Sequence, residues 1–187
     1  MEQLRSLDSL NLREKKKYSG IPENWKLKPF CCFSDISEEE VYYAVSERPV
    51  FRKVQAFTIY LLDKKGEEVL CLKNRAGLFS NKLEVFDASE DLLGSVQKQG
   101  SSKTRFQVLG AGGQVLYEID GTSAASTEVF RIRKGDVTLG KISKRPTRVA
   151  EEGVSRNASF GIVFPLAADT TEKAILLGAL FLIDLSF

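Results

Sequence analysis

The sequence contains no histidine. Imidazole is the side chain that titrates near neutral pH, and it serves as the base in serine and cysteine nucleophile systems and as a ligand in most catalytic zinc sites. Those enzyme classes are therefore excluded. Carboxylate, lysine or tyrosine chemistry stays open, but the adjacent pair Glu151 and Glu152 precedes a glycine, as in a solvated turn. We expect a protein that is not an enzyme and has no metal centre.

Cysteine is also scarce, with three residues in the chain, at positions 31, 32 and 71. Their number is odd, and their spacing matches neither a disulfide framework nor a zinc site, which favours a reducing compartment. The adjacent pair Cys31 and Cys32 has two interpretations. The thiols pack as small apolar side chains, or they are S-acylated and anchor the chain to a membrane.

Long apolar runs are missing too. The longest, Ala174 to Ile183, has 10 residues and would be about 15 Å long as a helix, against a hydrocarbon core of ~30 Å. By that arithmetic it does not span a bilayer alone. The polar N-terminal segment lacks the apolar region of a secretory signal, so we expect a cytosolic location rather than export.

The formal net charge of +2 is too close to balance to indicate a nucleic-acid-binding protein. Residues 1–28 are rich in charged side chains, including a lysine run at 15–17. We predict a flexible polar N-terminal tail over 1–28. Weak attraction of these lysines to anionic lipid headgroups is the alternative.

Between residues 30 and 164 the sequence has short stretches of alternating apolar and polar residues, which glycines or charged turns interrupt. This pattern is typical of an all-β sandwich or barrel. The predicted strands cover 57–63, 68–73, 82–88, 94–98, 105–110, 114–119, 127–133 and 138–144.

Two halves of this region resemble each other. Residues 57–72 (FTIY…GEEVLCL) and 106–119 (FQVL…GQVLYEI) share a pattern of two apolar stretches, of which the second begins after a glycine. Each is followed by a glycine-containing strand, at Gly94 and Gly140. A duplicated meander that closes into one barrel would explain the repeat and would remove exposed strand edges. Chance similarity between short strands is the alternative.

The C-terminal segment predicts a helix at about 171–185, which begins after an N-cap at Asp169 with a glutamate three residues later. The helix is apolar on all sides and must therefore be enclosed. We predict a mainly β, α+β fold, in which a closed antiparallel barrel of about twelve strands surrounds this helix. Gly178 would allow close approach to the barrel wall, and Asp184 would lie at its mouth. The other enclosed residues are Ala174, Leu177, Leu180, Phe181 and Ile183. Insertion of the helix into lipid is the competing hypothesis.

Three C-terminal motifs resemble a known family. GKISK at 140–144, FGIVFPL at 160–166 and KAILLGALFLID at 173–184 resemble, in order and spacing, the C-terminal third of phospholipid scramblases. VYYAVSE at 41–47 and LLDKKGEEVLCL at 61–72 extend the likeness over about residues 30–187. It implies a tubby-like barrel domain, which we place at 29–187. It also implies bidirectional, ATP-independent, calcium-stimulated phospholipid movement on the cytoplasmic face of a membrane, most simply the plasma membrane, with cytosol or nucleus as alternatives.

The sequence departs from the family in its acidic loop. Arg156, Ala158 and Ala167 occupy positions where the family has carboxylates, and Asp169 alone survives. Because Ca²⁺ takes six to eight oxygen ligands, several of them anionic, we predict no calcium site, calcium-insensitive behaviour and no cofactor. Asp169 is better explained as a helix cap.

Lysine and arginine form a basic cluster at Lys141, Lys144, Arg145 and Arg148. The matching family segment implies nuclear import, whereas the residues alone also allow a solvated strand face or binding to anionic lipid headgroups. The expected partners are phospholipid membranes. The family's proline-rich arm is missing, so no WW or SH3 partners are expected, nor is nucleic acid. A non-catalytic tubby-like module that binds phosphoinositide or a protein partner is the alternative function.

Overall fold

The structure is a computed structural model that describes residues 1–14, 27, 29–46, 56–74, 82–100, 104–124, 127–145 and 159–184. These residues form two helices and twelve strands. The helices are α1 (Glu2–Arg5) and α2 (Thr170–Asp184). The strands are β1 (Ser9–Glu14), β2 (Cys31–Ser34), β3 (Glu40–Val45), β4 (Phe57–Leu62), β5 (Glu68–Asn74), β6 (Lys82–Asp87), β7 (Leu92–Lys98), β8 (Arg105–Gly110), β9 (Val115–Ala124), β10 (Thr127–Lys134), β11 (Val137–Arg145) and β12 (Ser159–Val163).

The strands form one closed antiparallel barrel in which strands consecutive in sequence are hydrogen-bonded neighbours. Burial alternates along several strands, since successive side chains of a strand point to opposite faces. In β8, for example, Phe106 and Val108 are buried while Arg105 is exposed. The predicted fold class is confirmed. The eight predicted strands correspond to β4–β11 and differ by one or two terminal residues, except that β9 extends five residues further; β1, β2, β3 and β12 were not among them.

Closure of the barrel depends on β1, which pairs with β12 on one side and β2 on the other. The predicted tail over residues 1–28 is therefore wrong for residues 1–14, which form α1 and β1. Leu4, Leu10 and Leu12 are buried in the core, and their burial outweighs the polar character of the segment as a whole. Residues 15–26 and 28, including the lysine run, lie outside the described residues.

The order of strands agrees with the predicted duplication, because β4–β7 and β8–β11 are successive four-strand meanders. The two repeat glycines serve the same purpose. A Cβ atom on Gly94 of β7 would lie 2.3 Å from the carbonyl oxygen of Leu109, and one on Gly140 of β11 would lie 2.5 Å from that of Val163. Each glycine thus lets a strand approach the backbone of the next.

Three hairpin turns, after β2, β4 and β6, share one design. The first residue of each turn is an aspartate whose Oδ1 accepts backbone N–H groups two and four residues later, over distances of 2.8 to 3.0 Å. The fourth residue has a positive φ, which is 63° at Glu38, 83° at Gly66 and 64° at Glu90. The aspartates are Asp35, Asp63 and Asp87.

Helix α2 occupies the barrel interior, and every residue from Lys173 to Ile183 is buried. Gly178 lies against the wall as predicted, because a Cβ atom there would be 2.7 Å from Cγ2 of Val85. The ring of Phe181 meets that of Phe33 edge-on, with centroids 5.6 Å apart. Within the described part of the chain, no helix is both long and apolar enough to cross a membrane.

Candidate functional site

The two ends of the barrel differ. The tight turns that begin at Asp35, Asp63 and Asp87, the helix α1 and the start of α2 lie at one end, which we call the hairpin end. Helix α2 runs from there through the barrel and finishes at Asp184 beside Lys144 of β11, at the C-terminal end. Candidate functional residues occur at both ends and on the outer face between them.

Asp169 at the hairpin end caps α2. Its Oδ1 accepts the backbone N–H of Glu172 at 2.8 Å, while its own N–H donates to Oε2 of Glu172 at 3.2 Å. The two residues therefore form a capping box. The hydroxyl of Tyr117 also donates to Oε2 of Glu172, at 2.9 Å. Burial of the Tyr117 side chain raises its pKa, and the carboxylate of Glu172 adds to this effect. One oxygen of each acidic side chain is therefore engaged at the helix start.

The predicted remnant of a calcium loop is Asp169, the residue that caps α2, and the aligned positions without carboxylates are Arg156, Ala158 and Ala167. Ala167 is exposed and carries no ligand atom, whereas Arg156 and Ala158 lie outside the described residues. No group of three or more potential ligands among His, Cys, Asp and Glu occurs in the described ranges. A calcium-free loop stays a prediction, and the observation that supports it is the engagement of Asp169 in the helix cap.

The predicted basic cluster does not form a single surface in its described part. Lys141 lies on the outer face of the barrel, opposite Arg131 of β10 and Val163 of β12. Lys144, three residues further along the same strand, faces the barrel mouth, where its Nζ lies 5.7 Å from the ring centre of buried Phe160. Arg145 ends β11, but its side chain, like the whole of Arg148, lies outside the described residues.

Asp184 ends α2 at the barrel mouth, where it was predicted. Its side chain is partly open to solvent, yet the surrounding protein removes enough water to raise its pKa to about 6. The ammonium group of Lys144 partly offsets this effect by favouring the carboxylate. The mouth thus carries an acidic group whose charge changes in mildly acidic solution.

The thiols of Cys31 and Cys32 are buried, with 5% and 4% of each residue exposed. Cys31 belongs to the core cluster. The thiol of Cys32 donates to Oε1 of Glu40 over 3.4 Å. The other oxygen of this carboxylate accepts a hydrogen bond from the hydroxyl of Tyr43. Cys71 is likewise buried, and this burial raises the pKa of its thiol to about 11. These surroundings support packing over S-acylation, which requires an accessible thiol.

The sequence did not reveal the role of Lys173. Only 5% of this residue is exposed, and its Nζ donates to the backbone oxygens of Arg5 at 2.9 Å and Leu7 at 2.7 Å. Lys173 therefore ties the N-terminal segment to the start of α2. A lysine before an apolar run is an ordinary helix-flanking residue, and no sequence signal points to backbone acceptors so far away along the chain.

Large apolar side chains are exposed around the ends of β11 and β12, another feature that the sequence analysis missed. We call this set the apolar patch. Its members are Val137 (59% exposed), Leu139 (39%), Val163 (41%) and Leu166 (91%). Alternation in the sequence assigns such residues to one face of a strand. It does not tell whether that apolar face points outward or into the core.

A family model described as Scramblase matches residues 31–187. Among curated proteins, the chain is similar to human phospholipid scramblase 1, with 27% identity over 168 residues, which are 80% of this chain and 53% of that protein. Similarity to bovine phospholipid scramblase 2 reaches 30% identity over 70% of the chain and 50% of the relative. The chain spans about half the length of these relatives.

Among solved structures, the chain resembles the X-ray structure of a protein from Arabidopsis thaliana. The TM-score is 0.54 at 14% identity, and the alignment covers 97% of this chain and 94% of the other. At this identity the similarity concerns the fold alone. The twelve-stranded barrel around a C-terminal helix is the tubby-like architecture expected from the sequence motifs.

Proposed function

The chain belongs to the scramblase family, and on this premise we propose that it binds phospholipid membranes and takes part in bidirectional, ATP-independent movement of phospholipids. The observation that carries the proposal is the family match over 31–187, which includes nearly the whole barrel and all of α2. We place its action at the cytoplasmic face of a membrane, with the plasma membrane as the first candidate.

We further propose that this activity does not depend on calcium. Asp169 is engaged in the capping box, and Ala167 offers no oxygen ligand on its side chain. With Arg156 and Ala158 in the same loop, the chain lacks the several anionic oxygens that a useful Ca²⁺ affinity requires.

Liposomes that carry fluorescent phosphatidylserine in one leaflet test the proposal. The purified chain should accelerate exchange between leaflets to the same extent with calcium and with a chelator present. Vesicle leakage, measured with a trapped dye, must stay at the level of the buffer control. If neither lipid movement nor vesicle binding exceeds that control, the proposal fails.

The enclosure of α2 favours a second function, namely a tubby-like module that binds phosphoinositide or a protein partner without moving lipid. The ten residues from Ala174 to Ile183 are the longest apolar run in the chain, and they are already buried in the core. In this state they do not contact lipid. The module would bind phosphoinositide vesicles without lipid exchange and would lose binding when Lys141, Lys144, Arg145 and Arg148 become glutamine. Unchanged binding by that variant would count against a basic binding surface.

A further inference from the structure

We propose that the outer face of β10–β12 is the surface by which the protein docks on an anionic lipid bilayer, with the side of the barrel against the membrane. This inference rests on the proposed membrane binding and specifies the residues that carry it. We call the surface the docking face. It combines the cations Arg131 and Lys141 with the exposed apolar side chains Leu139, Val163 and Leu166.

The strand register aligns the central residues of this face. Arg131 of β10 lies directly opposite Lys141 of β11, and Lys141 lies directly opposite Val163 of β12. Residues that oppose each other on adjacent strands share a face of the sheet. All three are exposed, whereas their neighbours Ile132 and Ile142 are buried. Arg131, Lys141 and Val163 therefore form one row across three strands.

The other apolar residues lie beside this row because β11 and β12 approach closely. A Cβ atom on Gly140 would be 2.5 Å from the Val163 oxygen and 3.2 Å from Cδ of Pro165. Leu139 precedes Gly140 in sequence, and Leu166 follows Pro165. The apolar end of the docking face therefore lies where β11 and β12 meet the rim of the hairpin end.

Neither Arg131 nor Lys141 forms an ion pair with any residue in the described ranges. The adjacent carboxylate, Asp120, is instead shared by Arg105 at 3.7 Å and Arg133 at 3.4 Å. Each cation near an anionic membrane contributes about 1 kcal/mol, and burial of the apolar side chains among lipid headgroups adds to binding.

The hairpin end is a poor alternative for the same lipids. Its turns after β2 and β6 expose Glu38, Glu39, Glu90 and Asp91. Three of these carboxylates pair with Arg13, Lys64 and Lys73, so these turns offer an anionic surface no excess of cations. The exposed Ile36 lies within the first of these turns, between Asp35 and Glu38 in sequence. Charge therefore favours docking through the outer face of β10–β12 over docking by the tips of these turns.

Vesicle flotation of the full chain tests the docking face. Phosphatidylserine-rich vesicles should bind the natural chain, and the double variant Arg131→Gln/Lys141→Gln should lose about tenfold or more in affinity, as expected for two such cations. Leu139→Ser/Leu166→Ser should also weaken binding. The matched control is Lys64→Gln/Lys65→Gln, which removes the same charge from the turn between β4 and β5 and should bind normally. All these side chains are exposed, and thermal unfolding verifies that each variant is folded.

A fluorescent label gives a second readout. The native cysteines are buried, so the exposed thiol of Val163→Cys can be labelled selectively with a polarity-sensitive dye. Addition of phosphatidylserine vesicles should shift its emission to the blue, while a label at Lys65→Cys should keep its spectrum.

The outcomes separate this inference from the function on which it rests. If the natural chain binds vesicles but the docking-face variants bind equally and the label at position 163 does not shift, the docking face is wrong while membrane binding stands. If the natural chain binds no phosphatidylserine-rich vesicles, both the docking face and the proposed membrane binding fail. Normal vesicle binding by the variants combined with loss of a protein partner would assign this face to that partner and overturn the inference.

Discussion

Glu90 adopts a left-handed backbone conformation (φ 64°) in the turn after β6, where the equivalent turn after β4 has Gly66. Such a conformation costs a residue with a Cβ atom about 1–2 kcal/mol. Glycine avoids this strain, but its greater conformational freedom in the unfolded chain offsets part of the gain in stability. Glu90→Gly should therefore stabilise the protein by about 0.5–1 kcal/mol in urea unfolding. The exposed ion pair with Lys73 contributes little.

The reverse change is the control for this prediction. Gly66→Ala places a Cβ atom at a φ of 83° and should destabilise by a similar amount. A loss of stability in Glu90→Gly would show that the Lys73 ion pair outweighs the backbone strain.

Asp184 should make stability depend on pH in a direction opposite to that of most carboxylates. Its pKa of about 6 in the folded protein exceeds the usual ~3.9, so the folded state binds the proton more tightly. The resulting stabilisation is complete below about pH 4 and disappears as the pH rises through about 6.

Asp184→Asn should accordingly match the natural protein near pH 4 and be the more stable of the two at neutral pH, by less than about 1 kcal/mol because the group is partly solvated. Urea unfolding at both pH values measures this difference. Asp136→Asn, at an exposed carboxyl in the turn between β10 and β11, should show no such gain. Equal effects of Asp184→Asn at both pH values would contradict the assignment.

Restoration of the acidic loop tests the calcium prediction. Isothermal titration of the natural chain should give no heat of calcium binding. The triple variant Arg156→Asp, Ala158→Asp, Ala167→Asp returns three carboxylates and should bind. Micromolar binding by the natural chain would instead mean that its own oxygens suffice and that calcium regulates the protein.

Period-two alternation made the strands and the barrel predictable from sequence, and an apolar run without a polar side made its central helix predictable. Four strands lie outside the predicted set, namely β1, β2, β3 and β12. In β1 the alternation occurs in a charged context and depends on Leu10 and Leu12, so composition hid it, whereas β2 and β3 are buried on both faces and lack alternation. The division of Lys141 from Lys144 follows from the same alternation, since residues three apart on a strand face opposite sides. The contact from Lys173 to α1 depends on a chain reversal that local pattern does not encode.

Lys173 connects the two helices, and its removal should loosen the N-terminal element. Lys173→Met keeps most of the apolar stem but leaves the carbonyl oxygens of Arg5 and Leu7 without this donor, at a cost of about 1–3 kcal/mol. Urea unfolding should report this loss. Limited proteolysis should also cut near α1 sooner. Lys173→Arg, which retains donors, serves as the matched comparison, and unchanged proteolysis in Lys173→Met would contradict the proposed tether.

The barrel as a whole depends on its first strand. Deletion of residues 1–14 would leave the edges of β2 and β12 unpaired, and exposed strand edges promote association with other chains. We expect the deleted chain to lose cooperative unfolding and to aggregate in size-exclusion chromatography. A monomer of natural stability would restore the interpretation of this segment as a tail. Replacement of Asn11 and Arg13, which do not belong to the core cluster, by serine is the control and should leave the barrel closed.

The closure between β1 and β12 also governs when the protein can fold during its synthesis. Ser9 pairs with Val163, and α2, which fills the interior, follows β12. The ribosome therefore makes the first strand long before its partner, and every inward-facing apolar residue of the wall waits for the last helix. A nascent chain that stops before Thr170 contains all twelve strands of the barrel but not the helix that fills its interior. Folding of this barrel is consequently completed only once α2 has left the exit tunnel, and until then the inward-facing apolar side chains of the wall stay exposed to non-native association.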